Sequence, residues 1–199
     1  MFSGARHTAQ ALQRSGLEGL AVKPRGSAKG FAIIDLLFVC GIISVISGIA
    51  LPRLMMARGS AQAASAVGSL RVIGSSEVAF AITCGSGFYA PTLTKLAQPP
   101  PGGTDGFIKG DLGAADIMVK SGYQFQVFST PYALAPATCN GIGPGVTGLA
   151  YKAGGDPLDV NNPRNFAANA GNVIWEDTTP LFGAMPESGD PPTGHPLKY

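Results

Sequence analysis

The architecture of this chain is decided by one apolar stretch, FAIIDLLFVCGIISVISGIAL, which occupies residues 31–51. Asp35 is the only charged residue among its 21 positions. At about 1.5 Å per residue, a helix of this length spans roughly 30 Å, the thickness of the hydrocarbon core of a bilayer. The stretch therefore predicts a membrane-spanning helix. The composition of the whole chain, 45% hydrophobic and only 13% charged, fits a protein that partly meets lipid.

A basic leader precedes the apolar stretch. Residues 1–30 carry one acid, Glu18, and five basic residues: Arg6, Arg14, Lys23, Arg25 and Lys29. The leader thus holds a charge of +4, while the whole chain has a net charge of +2, so the remainder is slightly acidic. A nucleic-acid-binding protein would concentrate positive charge on its folded part, so no nucleic-acid partner is expected.

The leader and the apolar stretch do not form an ordinary secretory signal. The apolar run is longer than the 7 to 15 residues of such a signal, and no small-residue cleavage site follows it. Hydropathy by itself favours a signal anchor, with the basic leader in the cytoplasm and a soluble domain on the other side of the membrane.

An alanine-rich segment, from Pro52 to about Ile82, continues the apolar stretch and is predicted to be helical. Its apolar face is expected to follow spacings of three or four residues through Leu54, Ala57, Ala61, Ala64, Leu70, Ile73, Glu77 and Phe80. Pro52 has no backbone donor, so it is expected either to kink or locally melt the helix or to end the membrane helix.

Beyond Cys84 the chain changes to short strand-like runs between Gly- and Pro-rich turns. The predicted strands are YQFQVF (123–128), which alternates cleanly, GLAYKA (148–153) and NVIWED (172–177). The expected fold class is α+β, with a long N-terminal helix packed on a small antiparallel sheet of about three or four strands. The Pro-rich tail from Pro180 is expected to be irregular or disordered.

The junction between leader and apolar stretch, KGFAIIDLLFV, resembles the processing site of type IV prepilins. In that family a basic residue and Gly precede an apolar run that starts with Phe and carries an acid four residues on. Lys29, Gly30, Phe31 and Asp35 supply these elements, and Pro52 lies where many members have a kinking proline. The acid is normally Glu, and the leader is longer than most. The resemblance covers little more than the first third of the processed chain.

The resemblance implies a series of processing and assembly steps for the chain. A prepilin peptidase cleaves after Gly30, whose lack of a side chain permits close approach, and methylates the new amino terminus of Phe31. Asp35 then neutralises the terminal amine of a neighbouring subunit. The implied partners are this peptidase, other pilin subunits and an inner-membrane assembly platform. The implied location is a single-pass inner-membrane precursor, followed by an extracellular or periplasmic filament.

This interpretation divides the chain into four parts. Residues 1–30 form the removed leader, residues 31–83 the long helix with its transmembrane part at 31–51, residues 84–179 a small β-rich head, and residues 180–199 an irregular tail. Within the head, RNFAANAGNVIWE (164–176) resembles, more weakly, the closing strand pair of small-headed pilins.

The cysteines favour one disulfide. Cys40 lies in the apolar stretch and is interpreted as a small hydrophobic residue. Cys84 and Cys139 fall in the part expected outside the cytoplasm, where thiols oxidise, so they are predicted to form a bridge between helix and sheet. Two free thiols or a metal site are the alternatives. The acids Asp156, Asp159, Glu176 and Asp177 lack the spacing of a calcium loop, so neither a metal nor a cofactor is expected.

No catalytic residues are expected. The two histidines, His7 and His195, lie in the leader and the tail, and GIGPG (141–145) lacks the Lys-Ser/Thr of a phosphate-binding loop. The favoured function is a structural subunit of a type IV pilus, which serves adhesion, twitching motility or DNA uptake. A pseudopilin of a type II secretion system and an anchored binding domain that never polymerises remain alternatives.

Overall fold

The computed structural model describes residues 32–197, so the predicted leader lies outside the described residues. The chain divides into two compact units, Met1–Ser47 and Gly48–Tyr199. In the first unit the described residues form the beginning of helix α1 (Ile33–Thr83). The second unit contains the remainder of α1 and all of the strands.

The second unit is an α+β structure, the fold class expected from the sequence. A short helix α2 (Leu93–Leu96) and one 3-10 turn (Gly110–Gly113) follow α1. The strands are β1 (Ile117–Lys120), β2 (Tyr123–Phe128), β3 (Lys152–Pro157), β4 (Asn165–Asn169), β5 (Ile174–Asp177) and β6 (His195–Pro196).

The strands form one antiparallel sheet in chain order, β1-β2-β3-β4-β5-β6. Tyr123 lies opposite Pro157 and Asn165 lies opposite Asp177. The expected three or four strands fall short of the six that the described residues form. Strands β1, β4 and β6 are not among the three predicted runs, although β4 lies within the segment 164–176 that resembles a closing strand pair. Strand β6 has only two residues and therefore leaves no alternation to detect.

The three strand predictions are met to different degrees. The prediction for YQFQVF is confirmed residue for residue, with Tyr123, Phe125 and Val127 buried. The third predicted strand starts two residues late, at Ile174. The second is displaced, because the strand runs from Lys152 to Pro157 and includes two glycines that weaken a strand pattern in sequence.

Those two glycines are required because the sheet is covered on both faces. A Cβ at Gly155 would lie 3.0 Å from the Phe125 ring and 3.6 Å from Leu70 of α1. A Cβ at Gly154 would lie 2.7 Å from Phe182, on the other face. On that face a small cluster also forms between the sheet and the segment after Pro180: Ala167, Leu181, Met185 and Trp175.

Residues 181–197 contain one two-residue strand, β6, and otherwise turns, bends and irregular backbone. Leu181 and Met185 are buried there. The Asn169 side chain donates hydrogen bonds to the carbonyls of Pro186 and Gly189 at 3.1 and 2.7 Å. The segment is therefore fastened to β4 by both apolar burial and hydrogen bonds.

The prediction of which helix face packs on the head is wrong for four of its eight residues. Leu54 is 65% exposed, and Ala57, Ala61 and Ala64 are exposed as well. The buried stripe is Ala63, Ala66, Leu70, Ile73, Glu77 and Phe80. Since α-helical residues are about 100° apart, the six-residue step from Ala64 to Leu70 ends about 120° short of two full turns, so the two sets cannot share a face.

Candidate functional site: the exposed apolar helix and its attachment to the head

The first half of α1 exposes its apolar side chains. Ile33 is 79%, Phe38 70% and Val45 69% exposed, and no residue from Ala32 to Ser47 is buried. Among the described residues, α1 is the one helix long and apolar enough to cross a membrane. A helix that is apolar around its whole circumference is stable only when lipid or other helices surround it.

Asp35 lies in the first turn of α1. Its backbone N–H donates to the carbonyl of Ala32 at 2.9 Å, and the side chain is exposed. No side-chain hydrogen bond or ion pair forms on Asp35 within residues 32–197. It is the only acidic residue of α1 before Glu77. This carboxylate is thus available to a cation from outside the described chain.

Pro52 lies inside α1, which continues for 31 residues beyond it to Thr83. The alternative in which Pro52 ends the helix is therefore wrong, and residues on both sides of it keep helical geometry, without local melting. Because proline has no N–H, the carbonyl of Gly48 lacks its usual helical donor. The predicted processing residues Lys29, Gly30 and Phe31 lie outside the described residues.

The second half of α1 carries a buried carboxyl group that attaches it to the head. Glu77 is fully buried, and its Oε2 accepts a hydrogen bond from the backbone N–H of Ala90 at 2.9 Å. Burial raises the pKa of Glu77 from 4.5 to about 8, against a smaller lowering by the Ala90 bond. At neutral pH the group is therefore largely a neutral acid, which avoids the cost of burying a charge.

The surroundings of Glu77 contain another incompletely satisfied polar group. Neither Glu77 Oε1 nor the buried Tyr151 hydroxyl has a hydrogen-bond partner within the described part of the chain. Burial raises the pKa of Tyr151, and Glu77 adds to this effect. One turn earlier on α1, a Cβ at Gly74 would lie 3.1 Å from the Tyr151 hydroxyl and 2.8 Å from Asn172 Oδ1. Gly74 thus allows these polar groups to approach the helix.

The sequence interpretation placed Glu77 on the packed face without assigning it a role. The available signal was an acid on a stripe that otherwise contains Ile73 and Phe80. A lone carboxyl on an apolar face must be neutral, paired or at a functional site.

A disulfide joins Cys84, directly after α1, to Cys139, 55 residues later. The predicted pairing is present, and the alternatives of free thiols or a metal at these two residues are wrong. The bridge reaches a loop and not the sheet. Next to it, the Asn140 side chain donates to the carbonyls of Lys95 and Gln98 at 3.0 and 3.2 Å. The disulfide and Asn140 together hold the α2 region against the end of α1.

The acids considered for calcium serve other contacts. Glu176 forms a two-point ion pair with Arg164, and Asp177 accepts from the backbone N–H of Thr178 at 2.6 Å. Asp159 caps its own loop, and burial raises the pKa of the half-buried Asp156. Within residues 32–197, no group of three or more His, Cys, Asp or Glu side chains could hold a metal ion.

Comparisons with known proteins give no match to any protein-family model, to any curated protein or to any solved structure.

Proposed function

We propose that this chain is a structural subunit of a type IV pilus-like filament. A prepilin peptidase cleaves it after Gly30, and the processed subunit assembles through the first half of α1. The observation that carries this proposal is the exposure of the large apolar residues between Ile33 and Leu51, on a helix whose second half is packed on a folded head.

The apolar surface of the exposed half of α1 is covered in two successive environments. Removing apolar surface from water contributes about 25 cal/mol per Å² of favourable free energy. Burial of side chains as exposed as Ile33 and Phe38 is therefore favourable. Before assembly the bilayer supplies this cover. In a filament the same residues are covered by the helices of neighbouring subunits.

Asp35 supports assembly in a defined register. A carboxylate in a membrane helix costs up to about 2.5 to 3.5 kcal/mol, the value at the helix centre, and a position in the first turn, such as that of Asp35, returns only about 0.3 to 1 kcal/mol. A cation from another subunit makes up the difference. The new amino terminus at Phe31 is a suitable cation, because it lies four residues before the acid and is repeated in every subunit.

Two glycines of the exposed helix also support close packing between subunits. Gly41 and Gly48 are seven residues apart and so lie on one side of the helix. A Cβ at either position would meet no atom within 4 Å. Since an interior glycine weakens a helix by roughly 0.5 to 1 kcal/mol, their presence here fits a close approach by another helix.

The first experiment is the N-terminal mass of the protein recovered from membranes and from sheared cell-surface material. We expect a start at N-methylated Phe31, and a start at Met1 in matched cells that lack the prepilin peptidase. Recovery from the sheared surface fraction supports a pilus, and retention in the periplasm supports a secretion pseudopilin. A Met1 start in cells with an active peptidase would overturn the proposal.

A further inference from the structure

A groove opens in the second unit between α1 and the loop that joins β3 to β4. Its volume is about 860 Å³. One wall is formed by α1 from Met55 to Gln62, and the other by the loop from Leu158 to Arg164. We call this feature the membrane-proximal groove, because its helical wall begins four residues after Leu51.

The loop wall is held in place before any ligand arrives. The backbone N–H of Leu158 donates to the Gly122 carbonyl at 2.9 Å, and the Asn162 side chain donates to the Tyr123 hydroxyl at 3.0 Å. On the helix side, Ser65 donates to the Ser121 hydroxyl at 2.9 Å. Loop and helix are thus connected through the β1–β2 turn, so the groove is preformed.

Apolar side chains project from both walls. Met55 is 75%, Met56 67% and Leu158 53% exposed. Val160, in the same loop, is 95% exposed, more than any other large apolar residue among those described. Soluble proteins seldom expose a group of large apolar side chains together unless an apolar partner covers them.

The groove and the helical turn before it carry a net positive charge, because two arginines, Arg53 and Arg58, outnumber the single carboxylate of Asp159. Arg58 lines the groove and Arg53 lies in the preceding turn, and neither has an ion-pair partner within residues 32–197. Of the other charged groups at the groove, Arg164 is neutralised by an ion pair, whereas Asp159 keeps its negative charge. Arg164 is paired with Glu176, and Asp159 accepts from the backbone and side-chain N–H groups of Asn161 at 2.9 and 3.1 Å.

The height of the groove on the helix matches a lipid headgroup. When Leu51 lies at the edge of the hydrocarbon core, Met55 and Arg58 lie about 6 to 10 Å beyond that edge. The headgroup layer extends roughly 5 to 8 Å beyond the core on each side. Because helical side chains tilt toward the helix N-terminus, which is the membrane side here, Arg58 can reach back to phosphate and Met55 to the first acyl carbons.

We propose that the membrane-proximal groove binds an anionic phospholipid of the bilayer that holds the precursor. Arg58 and Arg53 contact the phosphate, and the methionines with Leu158 and Val160 contact the glycerol and the first acyl carbons. This inference rests on the proposed membrane-anchored precursor, and it adds that the head lies against the bilayer in a defined orientation before assembly.

The test uses the full chain reconstituted in vesicles of brominated phosphatidylcholine, with and without phosphatidylglycerol. Val160→Trp reports contact of the loop with lipid through quenching by bromine. Leu134→Trp, at another position that is 78% exposed, is the matched control, and the native Trp175 is a constant background in both. We expect stronger quenching at position 160, increased about twofold by the anionic lipid.

Charge variants identify the headgroup contact. In Arg53→Gln/Arg58→Gln the increase caused by phosphatidylglycerol should be lost, whereas Lys95→Gln/Lys109→Gln, with the same change in net charge, should retain it. An increase that survives removal of both arginines would overturn the assignment of the groove to an anionic lipid.

A fluorophore on Cys40 separates the two proposals. It is the one free thiol, since Cys84 and Cys139 are bonded to each other. If the Cys40 label is quenched while the Trp reporters at positions 160 and 134 are quenched equally, the groove proposal is overturned and the membrane anchor remains intact. An unquenched Cys40 label would overturn both. In a third outcome, the Trp at position 160 shows no bromine quenching but becomes shielded from water as the protein-to-lipid ratio rises. That result would assign the groove to a second copy of the chain and overturn the lipid proposal.

Discussion

The two halves of α1 belong to one helix and have opposite surroundings. Residues 33–51 expose large aliphatic and aromatic side chains in every direction, whereas residues 63–81 are rich in Ala, Ser and Gly and bury one narrow stripe. The second half needs only one neighbour, the sheet, because its other faces are small or polar. The first half has no such polar face, so it needs cover on all sides. Substitutions that affect one half and not the other test this comparison.

The largest effect is expected for Asp35→Ala, in the exposed half. Filaments should be lost while membrane insertion and the stability of the head are unchanged, since the side chain has no partner within the described residues. The measurement is subunit recovered by shearing, beside the amount in membranes. Asp35→Glu is the control and should still assemble, because it keeps the charge. Normal filaments in Asp35→Ala would refute the role of this carboxylate.

A matched pair of phenylalanines compares burial in the two halves. Phe80 is fully buried and Phe38 is 70% exposed. Phe80→Ala should lower the free energy of unfolding of the head by about 3 to 5 kcal/mol, and Phe38→Ala should change it by less than about 0.5 kcal/mol. Urea unfolding in detergent, followed by Trp175 fluorescence, measures both. Equal effects would mean that the halves do not differ in packing.

Glu77 gives the packed half a dependence on pH. Because the pKa is raised from 4.5 in the unfolded chain to about 8 in the folded head, the folded state retains a proton that the unfolded chain loses in this interval. The free energy of unfolding should therefore be greatest below pH 4.5, decrease as the pH rises toward 8, and then level off. The decrease should be roughly a few kcal/mol.

Glu77→Gln is the control for this titration. Glutamine is neutral and its carbonyl oxygen can still accept from the Ala90 N–H, so the variant should show little change across the same pH range. Urea unfolding of both proteins at several pH values decides the matter. An identical slope in the variant would assign the pH dependence to other groups.

The smallest effects are expected for two glycines within α1. Gly74→Ala should destabilise the head by about 1 to 3 kcal/mol, because the new Cβ meets Asn172 and Tyr151. Gly68→Ala adds a Cβ to open space and should stabilise by about 0.5 to 1 kcal/mol. Thermal unfolding of the two variants gives the comparison, and a destabilising Gly68→Ala would contradict it.

Much of the site could be predicted where the pattern is local. The apolar run, Asp35 within it and the alternating strand from Tyr123 to Phe128 all follow from consecutive residues. The stripe on α1 was predicted correctly only from Leu70 onward, because an alanine-rich segment contains several candidate faces and sequence does not say where the head begins to cover the helix. Strand β3 was displaced because Gly154 and Gly155 have no pattern of their own.

The sequence by itself determined that this chain has one long apolar helix with a carboxylate near its start and an α+β head. These features depend on composition and on spacings within a few residues. Only the tertiary structure decided that Glu77 is fully buried, that Gly74, Gly154 and Gly155 permit close contacts, and that the loop from Leu158 to Arg164 forms a groove with α1. Each of these depends on residues far apart in the chain, whose proximity is set by which faces of helix and sheet pack together.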